Sequence, residues 1–332
     1  MNKQQLYALT GSLEQVASVR RVVYHDGKED GLCCAQVRSG PLEFEVMLNK
    51  CLDLSQIRYG GINFSFLSKT GLRMGDMCPA MFTAGPDNIH AARTVDGVSY
   101  PSHGHIRFVP AGDISLTRQF DGDRLFLKVS GNVSQAEQFG ENIVLHRCIQ
   151  TEYGTSSLTI TDRIENNGFR PEPLCLLYHC NLGYPFLSPD CRVLLPARRS
   201  DARDALSHLD QCRRMDPPEP NAPEQVFQHV CACAPDGTMF AAIVNDSLNA
   251  AFVLRWNRRE LPLLTQWKSI ASGDYAMALE PCNTGFEGRE KPGEILNPFE
   301  QKSITLQMEI LEGKKAIQDL EAECARLIEF TE

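Results

Sequence analysis

Residues 19–48 read VRRVVYHDGKEDGLCCAQVRSGPLEFEVML. Three β-rich runs, at residues 19–24, 32–38 and 42–48, are separated by the stretches HDGKEDG and SGP. Because aspartate, glycine and proline between short β-rich runs favour tight turns, this stretch predicts antiparallel hairpins.

The same arrangement of short strands continues through most of the chain. Further predicted strands cover residues 124–129, 143–150, 157–164, 174–180, 193–195, 226–233, 239–244, 251–256, 275–279 and 303–311. No helices of βαβ length alternate with them, so the sequence predicts an all-β antiparallel sandwich or barrel. The polar, proline-rich residues 198–223 are predicted to form a long surface loop within the domain rather than a linker between domains. We therefore expect one domain over residues 1–332.

Both ends of the chain carry a helical pattern. Leu6, Leu9 and Leu13 have near-helical spacing and predict short helical turns within residues 1–16. Residues 314–330 are predicted to form an amphipathic helix. Its apolar stripe consists of Ile317, Leu320, Cys324, Leu327 and Ile328. We expect this helix to pack on the sandwich, with a contact to a second subunit of an oligomer as the alternative.

Composition and charge restrict the class of protein. Of the 332 residues, 42% are hydrophobic and 23% are charged, as in globular chains. The formal net charge of -9 disfavours a nucleic-acid partner. The sequence contains no apolar run of membrane-spanning length and no phosphate-binding glycine motif, so we expect neither a membrane contact nor a nucleotide cofactor. The 13 cysteines, without a charged-then-apolar leader at residues 1–15, favour reduced thiols in the cytoplasm.

Three short motifs place polar side chains beside apolar runs. His103 and His105 flank a glycine, and they share a face if the segment is a strand. His179 and Asn181 end the apolar run LCLLY and share a face by the strand period of two. Glu280 follows the apolar YAMAL, where a carboxylate is costly unless it is exposed, paired or used. These residues predict a functional site.

Two kinds of site fit these side chains. Three imidazoles and a carboxylate are a ligand set for a divalent metal. Against this, no glutamate follows the His-x-His motif closely, and Arg107 on the same alternating face would repel a cation. We prefer a proton-transfer pair without a metal or other cofactor, in which a carboxylate takes a proton and an imidazole delivers one. Trp267 and Lys268 would offer a stacking face and a charge to a polyol.

Six longer motifs carry a resemblance to a known family. They are LNKCLD at 48–53, TAGPDN at 83–88, YPSHGHI at 100–106, LYHCNLGYP at 177–185, LPLLTQWK at 261–268 and ALEPCN at 278–283. Through the order and spacing of these motifs, the chain resembles the galactose-mutarotase-like superfamily. It resembles most closely the aldose 1-epimerase-related branch known as domain of unknown function 4432. The resemblance implies a large antiparallel β-supersandwich. It also implies a carbohydrate-active protein that interconverts sugar anomers.

The resemblance assigns roles to three side chains. Glu280 would be the general base at the C1 hydroxyl, and His179 would be the general acid that protonates the ring oxygen. His103 would hold the sugar while the ring opens, the bond from C1 to C2 rotates and the ring closes as the other anomer. The expected substrate-binding residues are His105, Arg107, Asn181, Trp267, Lys268 and Asn283.

Some positions depart from the family pattern, and the function has alternatives. Lys50 and His105 stand where this branch commonly has arginine. We expect a small, neutral sugar as substrate. The alternatives are isomerisation or epimerisation elsewhere on a sugar and a noncatalytic carbohydrate-binding protein.

Overall fold

A computed structural model describes residues 1–329, which form twenty-three β-strands, two α-helices and five short 3₁₀ helices. The α-helices are α1 (Lys3–Leu9) and α2 (Lys314–Glu329). The first twelve strands are β1 (Ala17–Val23), β2 (Cys33–Ser39), β3 (Leu42–Met47), β4 (Asp53–Tyr59), β5 (Ile62–Asn63), β6 (Met81–Ala84), β7 (Arg93–Val95), β8 (Val98–Tyr100), β9 (Gly112–Asp121), β10 (Arg124–Ala136), β11 (Asn142–Glu152) and β12 (Ser157–Asn166). The others are β13 (Glu172–Leu174), β14 (Leu177–Leu182), β15 (Cys191–Leu194), β16 (Ala197–Ala202), β17 (Gln225–Cys231), β18 (Thr238–Asn245), β19 (Ala250–Asn257), β20 (Leu263–Ser269), β21 (Ala276–Cys282), β22 (Glu294–Leu296) and β23 (Gln301–Glu312).

Two large sheets dominate the fold. One has eleven strands in the order β1-β2-β3-β4-β6-β14-β21-β20-β17-β16, with β5 paired to β4. The other has eight strands in the order β15-β18-β19-β23-β12-β11-β10-β9. Neighbouring strands are antiparallel in both sheets, as the hairpin chemistry of residues 19–48 predicts. The all-β antiparallel sandwich is therefore confirmed.

The main core lies between the two sheets. Every second residue of β10 and β11 is buried, and Leu127, Val129, Leu145 and Ile149 belong to one cluster with Phe44 of the eleven-stranded sheet. This alternation is typical of strands that have one face on the core and the other toward solvent.

The central strands β14 and β21 are buried on both faces. Tyr178 and Leu279 point into the main core. Their neighbours His179 and Glu280 therefore point to the outer face of the eleven-stranded sheet, because successive side chains of a strand alternate. Loops cover the outer face of the sheet and bury these side chains. The candidate site lies between the loops and the sheet.

A buried ionic network connects the two sheets beside these strands. Arg147 on β11 binds both carboxylate oxygens of Asp162 at 2.9 and 2.7 Å and one oxygen of Asp53 at 2.8 Å. The Tyr178 hydroxyl donates to Asp162 at 2.6 Å. Because Tyr178 precedes His179, the network fixes the strand that carries one of the candidate catalytic groups.

The ends of the chain form helices, as predicted. Helix α2 packs Ile317, Leu320 and Cys324 against Phe240 and Val253 of the eight-stranded sheet, so most of its apolar stripe is covered by the same chain. Ile328, at the end of the stripe, is 48% exposed. Phe330, the predicted end of this helix, lies outside the described residues. Neither helix of residues 1–329 combines the length and hydrophobicity needed to cross a bilayer.

The expectation for residues 198–223 is partly wrong. The segment contains most of β16, which pairs with β17 at the edge of the eleven-stranded sheet. Further along it, Cys212 and Met215 are buried. Polar residues and prolines suggested a solvated loop, but pairing with a distant strand overrides the local pattern.

Candidate active site

A cavity of about 510 Å³ lies on the outer face of the eleven-stranded sheet. It is lined by Phe66, Ser68, Thr70, Gly71, Asp76, Met77, Cys78, Pro79, Phe82, His90, Ala91, Ser102, His103, His179, Asn181, Arg203, Glu224, Val226, Trp267, Glu280 and Phe286. Aromatic rings line several sides of a space that also contains imidazoles and carboxyl groups. This combination suits a small ligand with both apolar faces and hydroxyl groups.

An irregular segment, residues 66–79, forms one wall of the cavity. The buried Lys50 ammonium donates to the carbonyl oxygen of Arg73 at 2.9 Å. At the exposed side of the same segment, Lys69 is 2.7 Å from Asp274. Lys50 therefore holds one end of this wall of the cavity in place.

His179 and Glu280 form a buried pair of titratable groups in the cavity. Strands β14 and β21 are adjacent, with Cys180 opposite Leu279, and this register brings His179 Nε2 within 3.1 Å of Glu280 Oε1. Glu280 is only 2% exposed and His179 only 8%. The two groups do not form a hydrogen bond, and both Glu280 Oε1 and His179 Nδ1 are buried without a hydrogen-bond partner.

Burial shifts the titration of this pair. Desolvation raises the pKa of Glu280 to about 8, and the Glu224 carboxylate acts in the same direction. Desolvation lowers the pKa of His179 to about 3. Near neutral pH the pair therefore holds one proton and carries no net charge. A buried pair with one exchangeable proton and unpaired atoms can exchange protons with a bound ligand.

His103 reaches the cavity from a loop rather than a strand. His103 and Gly104 both have left-handed backbones, with φ of 60° and 70°. A Cβ atom at position 104 would lie 2.4 Å from Asp87 Oδ1, so only glycine fits there. The His103 amide donates to the carbonyl oxygen of His90 at 2.9 Å, which fixes the loop beside the cavity.

Phe82 orients the two predicted catalytic histidines. Its ring stacks on His179 at 4.4 Å between centroids and meets His103 edge-on at 5.3 Å. The two imidazoles are 5.5 Å apart. Burial lowers the pKa of His103, and His103 Nδ1 has no hydrogen-bond partner. A neutral imidazole with a free nitrogen can hydrogen-bond a ligand hydroxyl.

His105 and Arg107 do not join this cluster. The expectation that His103 and His105 share the face of a strand is wrong, because the two left-handed residues turn the chain. His105 Nδ1 lies 2.5 Å from Asp87 Oδ2, and the Arg107 guanidinium donates to the carbonyl oxygen of Ser102. Neither side chain lines the cavity, so we withdraw their predicted contacts with substrate.

Lys268 and Asn283 are also absent from the lining. Lys268 Nζ is held by Asp216 at 2.7 Å and by the carbonyl oxygens of Gln211 and Arg214. The Asn283 side chain accepts from the Leu176 amide and donates to the Leu174 carbonyl oxygen, so it joins two backbone segments. Both side chains have structural partners, and we also withdraw their predicted role in substrate binding.

The structure brings together the other five predicted residues, Glu280, His179, His103, Asn181 and Trp267. The metal interpretation also needed His105 in this cluster, but that imidazole is bound to Asp87. Across residues 1–329, no group of three or more His, Cys, Asp and Glu side chains is arranged to hold a metal ion.

Arg203, Glu224 and His90 are among the lining residues that sequence reasoning missed. Arg203 and Glu224 form an ion pair at 3.0 Å, and Glu224 also accepts from Trp267 Nε1 at 2.8 Å. Only long-range strand pairing brings this pair to the cavity, so no local pattern indicates it. His90 is not among the predicted site residues, although it lies only two residues after the TAGPDN motif. Its closeness to this motif is the feature of the sequence that could have indicated its position at the cavity.

Known proteins share the family and the fold. The family described as domain of unknown function 4432 (DUF4432) matches residues 29–310. A provisionally assigned aldose 1-epimerase from Klebsiella pneumoniae is 20% identical, with a match that covers 99% of this chain and 91% of that protein at a TM-score of 0.88. No curated protein matches the sequence.

More distant structures have the same architecture. A galactose mutarotase-like protein from Clostridium acetobutylicum is 15% identical over 90% of this chain and 100% of its own, with a TM-score of 0.64. Galactose 1-epimerase from Lactobacillus acidophilus is 12% identical over 90% of this chain and 99% of its own, with a TM-score of 0.57. At these identities the likeness shows the fold, and it confirms the expected galactose-mutarotase-like sandwich.

Proposed function

The chain belongs to the family described as domain of unknown function 4432, and from this premise we propose that it is an aldose 1-epimerase-like enzyme. It interconverts sugar anomers through acid–base opening of the ring. The observation that carries the proposal is the contact between Glu280 and His179, two buried groups with unpaired atoms that face one cavity. The names given to the solved structures of this fold agree with the same class of reaction.

Ring opening needs one group to remove a proton and another to supply one. In our proposal Glu280 takes the proton from the C1 hydroxyl as a C1 carbonyl forms. The bond from C1 to the ring oxygen breaks, and the ring oxygen receives a proton from His179. The reactive form has the single proton of the pair on His179, and its transfer from Glu280 spans the 3.1 Å contact. After rotation about the bond from C1 to C2, the same transfers in reverse close the other anomer.

His103, Asn181 and Trp267 would bind the sugar. His103 presents an unpaired Nδ1 near His179, at a centroid separation of 5.5 Å. Trp267 and Phe66 present aromatic rings 6.4 Å apart, and such rings stack on the apolar face of a pyranose. These contacts hold the reacting carbon beside the acid–base pair.

A neutral sugar fits the charges at the cavity. Arg203, the cation among the lining residues, is already bound by Asp204 at 2.9 Å and by Glu224 at 3.0 Å. Glu224 is thus paired with Arg203. Asp76 is paired with Arg73 at 3.1 Å, so the lining described within residues 1–329 offers no unpaired cation to the phosphate of a phosphorylated sugar. We also propose a cytoplasmic location, because all 13 cysteines are free thiols.

Polarimetry tests the proposal directly. Freshly dissolved single anomers of a panel of neutral aldoses are followed to equilibrium with wild-type protein and with His179→Ala. We expect acceleration for at least one aldose and a loss of about 10²-fold or more in the variant, the usual size of an acid–base contribution. His105→Ala is the matched control and retains activity, since His105 lies outside the cavity. Failure of the wild type to accelerate any aldose contradicts the proposal.

A further inference from the structure

His90 occupies an unusual place at the edge of the cavity. Its backbone is left-handed, with φ of 61°, a conformation that histidine, asparagine and aspartate adopt more often than other residues with side chains. Its carbonyl oxygen accepts from the His103 amide at 2.9 Å and from the Ser102 hydroxyl at 2.8 Å. Asn88 donates to the Ala91 and Pro101 carbonyl oxygens and holds the same turn. The backbone at His90 is therefore firmly fixed.

The His90 imidazole has no internal hydrogen bond at its inner nitrogen. His90 Nε2 is buried without a partner, and the ring lines the cavity beside Phe286, at 5.7 Å between centroids. An unpaired buried polar atom costs about 1–3 kcal/mol, which a hydrogen bond to a ligand would recover.

Three imidazoles follow one another along the cavity. His179 contacts Glu280, His103 lies 5.5 Å from His179, and His90 lies 6.4 Å from His103. Each of the three rings has one buried nitrogen without a partner. His103 therefore contacts both other rings, and the ring that contacts Glu280 is His179 rather than His90.

We propose that His90 is a specificity-determining residue that hydrogen-bonds a sugar hydroxyl remote from the anomeric carbon. The proposal rests on the proposed function, since that function places the anomeric carbon at Glu280 and His179. A hydrogen bond between a neutral imidazole nitrogen and a hydroxyl group requires a particular distance and direction. The residue therefore selects among aldoses that differ at a single carbon, without taking part in the proton transfers.

Isothermal titration calorimetry and exchange rates, measured on the same proteins, test this role. The ligands are neutral aldoses bound by the wild type and analogues that each lack one hydroxyl. His90→Phe keeps a ring beside Phe286 but removes both nitrogens, and His90→Asn tolerates the left-handed backbone. His25→Asn, in an exposed turn outside the cavity, is the control.

We expect both His90 variants to bind the parent aldose about tenfold more weakly, the size of one hydrogen bond. The wild type should lose a similar amount of affinity for the one deoxy analogue that lacks the hydroxyl bound by His90. The variants should bind this analogue no more weakly than the parent aldose, because their contact with that hydroxyl is already absent. KM rises while kcat stays close to that of the wild type. Unchanged affinity in both variants overturns the proposal, and so does an equal loss for every analogue.

The two proposals fail in different ways. If the wild type binds aldoses but accelerates no exchange, the proposed function is wrong, and the dissociation constants still decide whether His90 contacts the ligand. If the wild type binds no aldose in the panel, both proposals are overturned.

Discussion

Replacement of Glu280 by glutamine should stabilise the fold while removing the proposed catalytic base. Glu280 is 2% exposed, its Oε1 atom has no hydrogen-bond partner, and burial raises its pKa from 4.5 to about 8. In the unfolded chain the carboxyl ionises near its ordinary value. Between these two pKa values folding must therefore neutralise or desolvate a charge.

The sign and size of the effect follow from this difference. A carboxyl whose folded pKa is raised contributes its full stability below the unfolded pKa, and that stability is lost as the pH rises toward the folded value. Each pH unit changes the free energy of unfolding by about 1.4 kcal/mol. At pH 7, some 2.5 units above 4.5, the carboxyl ionises in the unfolded chain but stays protonated in the folded protein, and this difference lowers the free energy of unfolding by about 3 kcal/mol. Glutamine has the shape of the protonated acid and does not ionise, so Glu280→Gln avoids this cost.

Urea denaturation followed by circular dichroism measures the difference. We expect the free energy of unfolding of Glu280→Gln to exceed that of the wild type by up to about 3 kcal/mol at pH 7. The difference should be larger near pH 8 and small near pH 4.5. Glu137→Gln, at an exposed turn, should change the stability little at any of these values. A destabilised Glu280→Gln protein, or a difference that does not grow with pH, would refute the reasoning.

Three further results are expected. Anomer exchange should fall above about pH 8, because the Glu280–His179 pair then loses its single proton; a pH profile of kcat/KM that rises there contradicts this assignment. Arg147→Met should lower the free energy of unfolding by about 3–5 kcal/mol in urea, since it leaves two buried carboxylates without their cation, and an unchanged midpoint would count against the network. Gly104→Ala should reduce both thermal stability and exchange activity, because a Cβ atom 2.4 Å from Asp87 Oδ1 displaces the loop that holds His103. Full activity in this variant would show that the loop tolerates the side chain.

The sequence predicted those parts of the site that follow strand periodicity. His179 and Asn181 share a face of β14 because the side-chain period of a strand is two. Glu280 lies within the buried strand β21 beside β14, and the energetic cost of burying a carboxylate had already indicated that this residue has a role. The roles of these residues in catalysis remain predictions, whereas their meeting in one cavity is a property of the fold.

Other parts depend on contacts that local patterns do not contain. His103 and His105 diverge because Gly104 packs against Asp87, which a strand pattern cannot anticipate. Arg203 and Glu224 reach the cavity only through the pairing of β16 and β17 with the rest of the sheet. Residues whose positions are set by loop packing or distant pairing were therefore missed or misplaced.

Exchange spectroscopy of the anomeric protons tests the central claim most directly. The sugar with the fastest equilibration is studied at pH 7 with the wild type, Glu280→Gln and His179→Ala at equal concentrations. We predict exchange cross-peaks between the two anomers with the wild type and their loss with both variants, which remain folded and still bind the sugar. Exchange that persists unchanged in a variant that lacks either group would contradict an acid–base mechanism centred on Glu280 and His179.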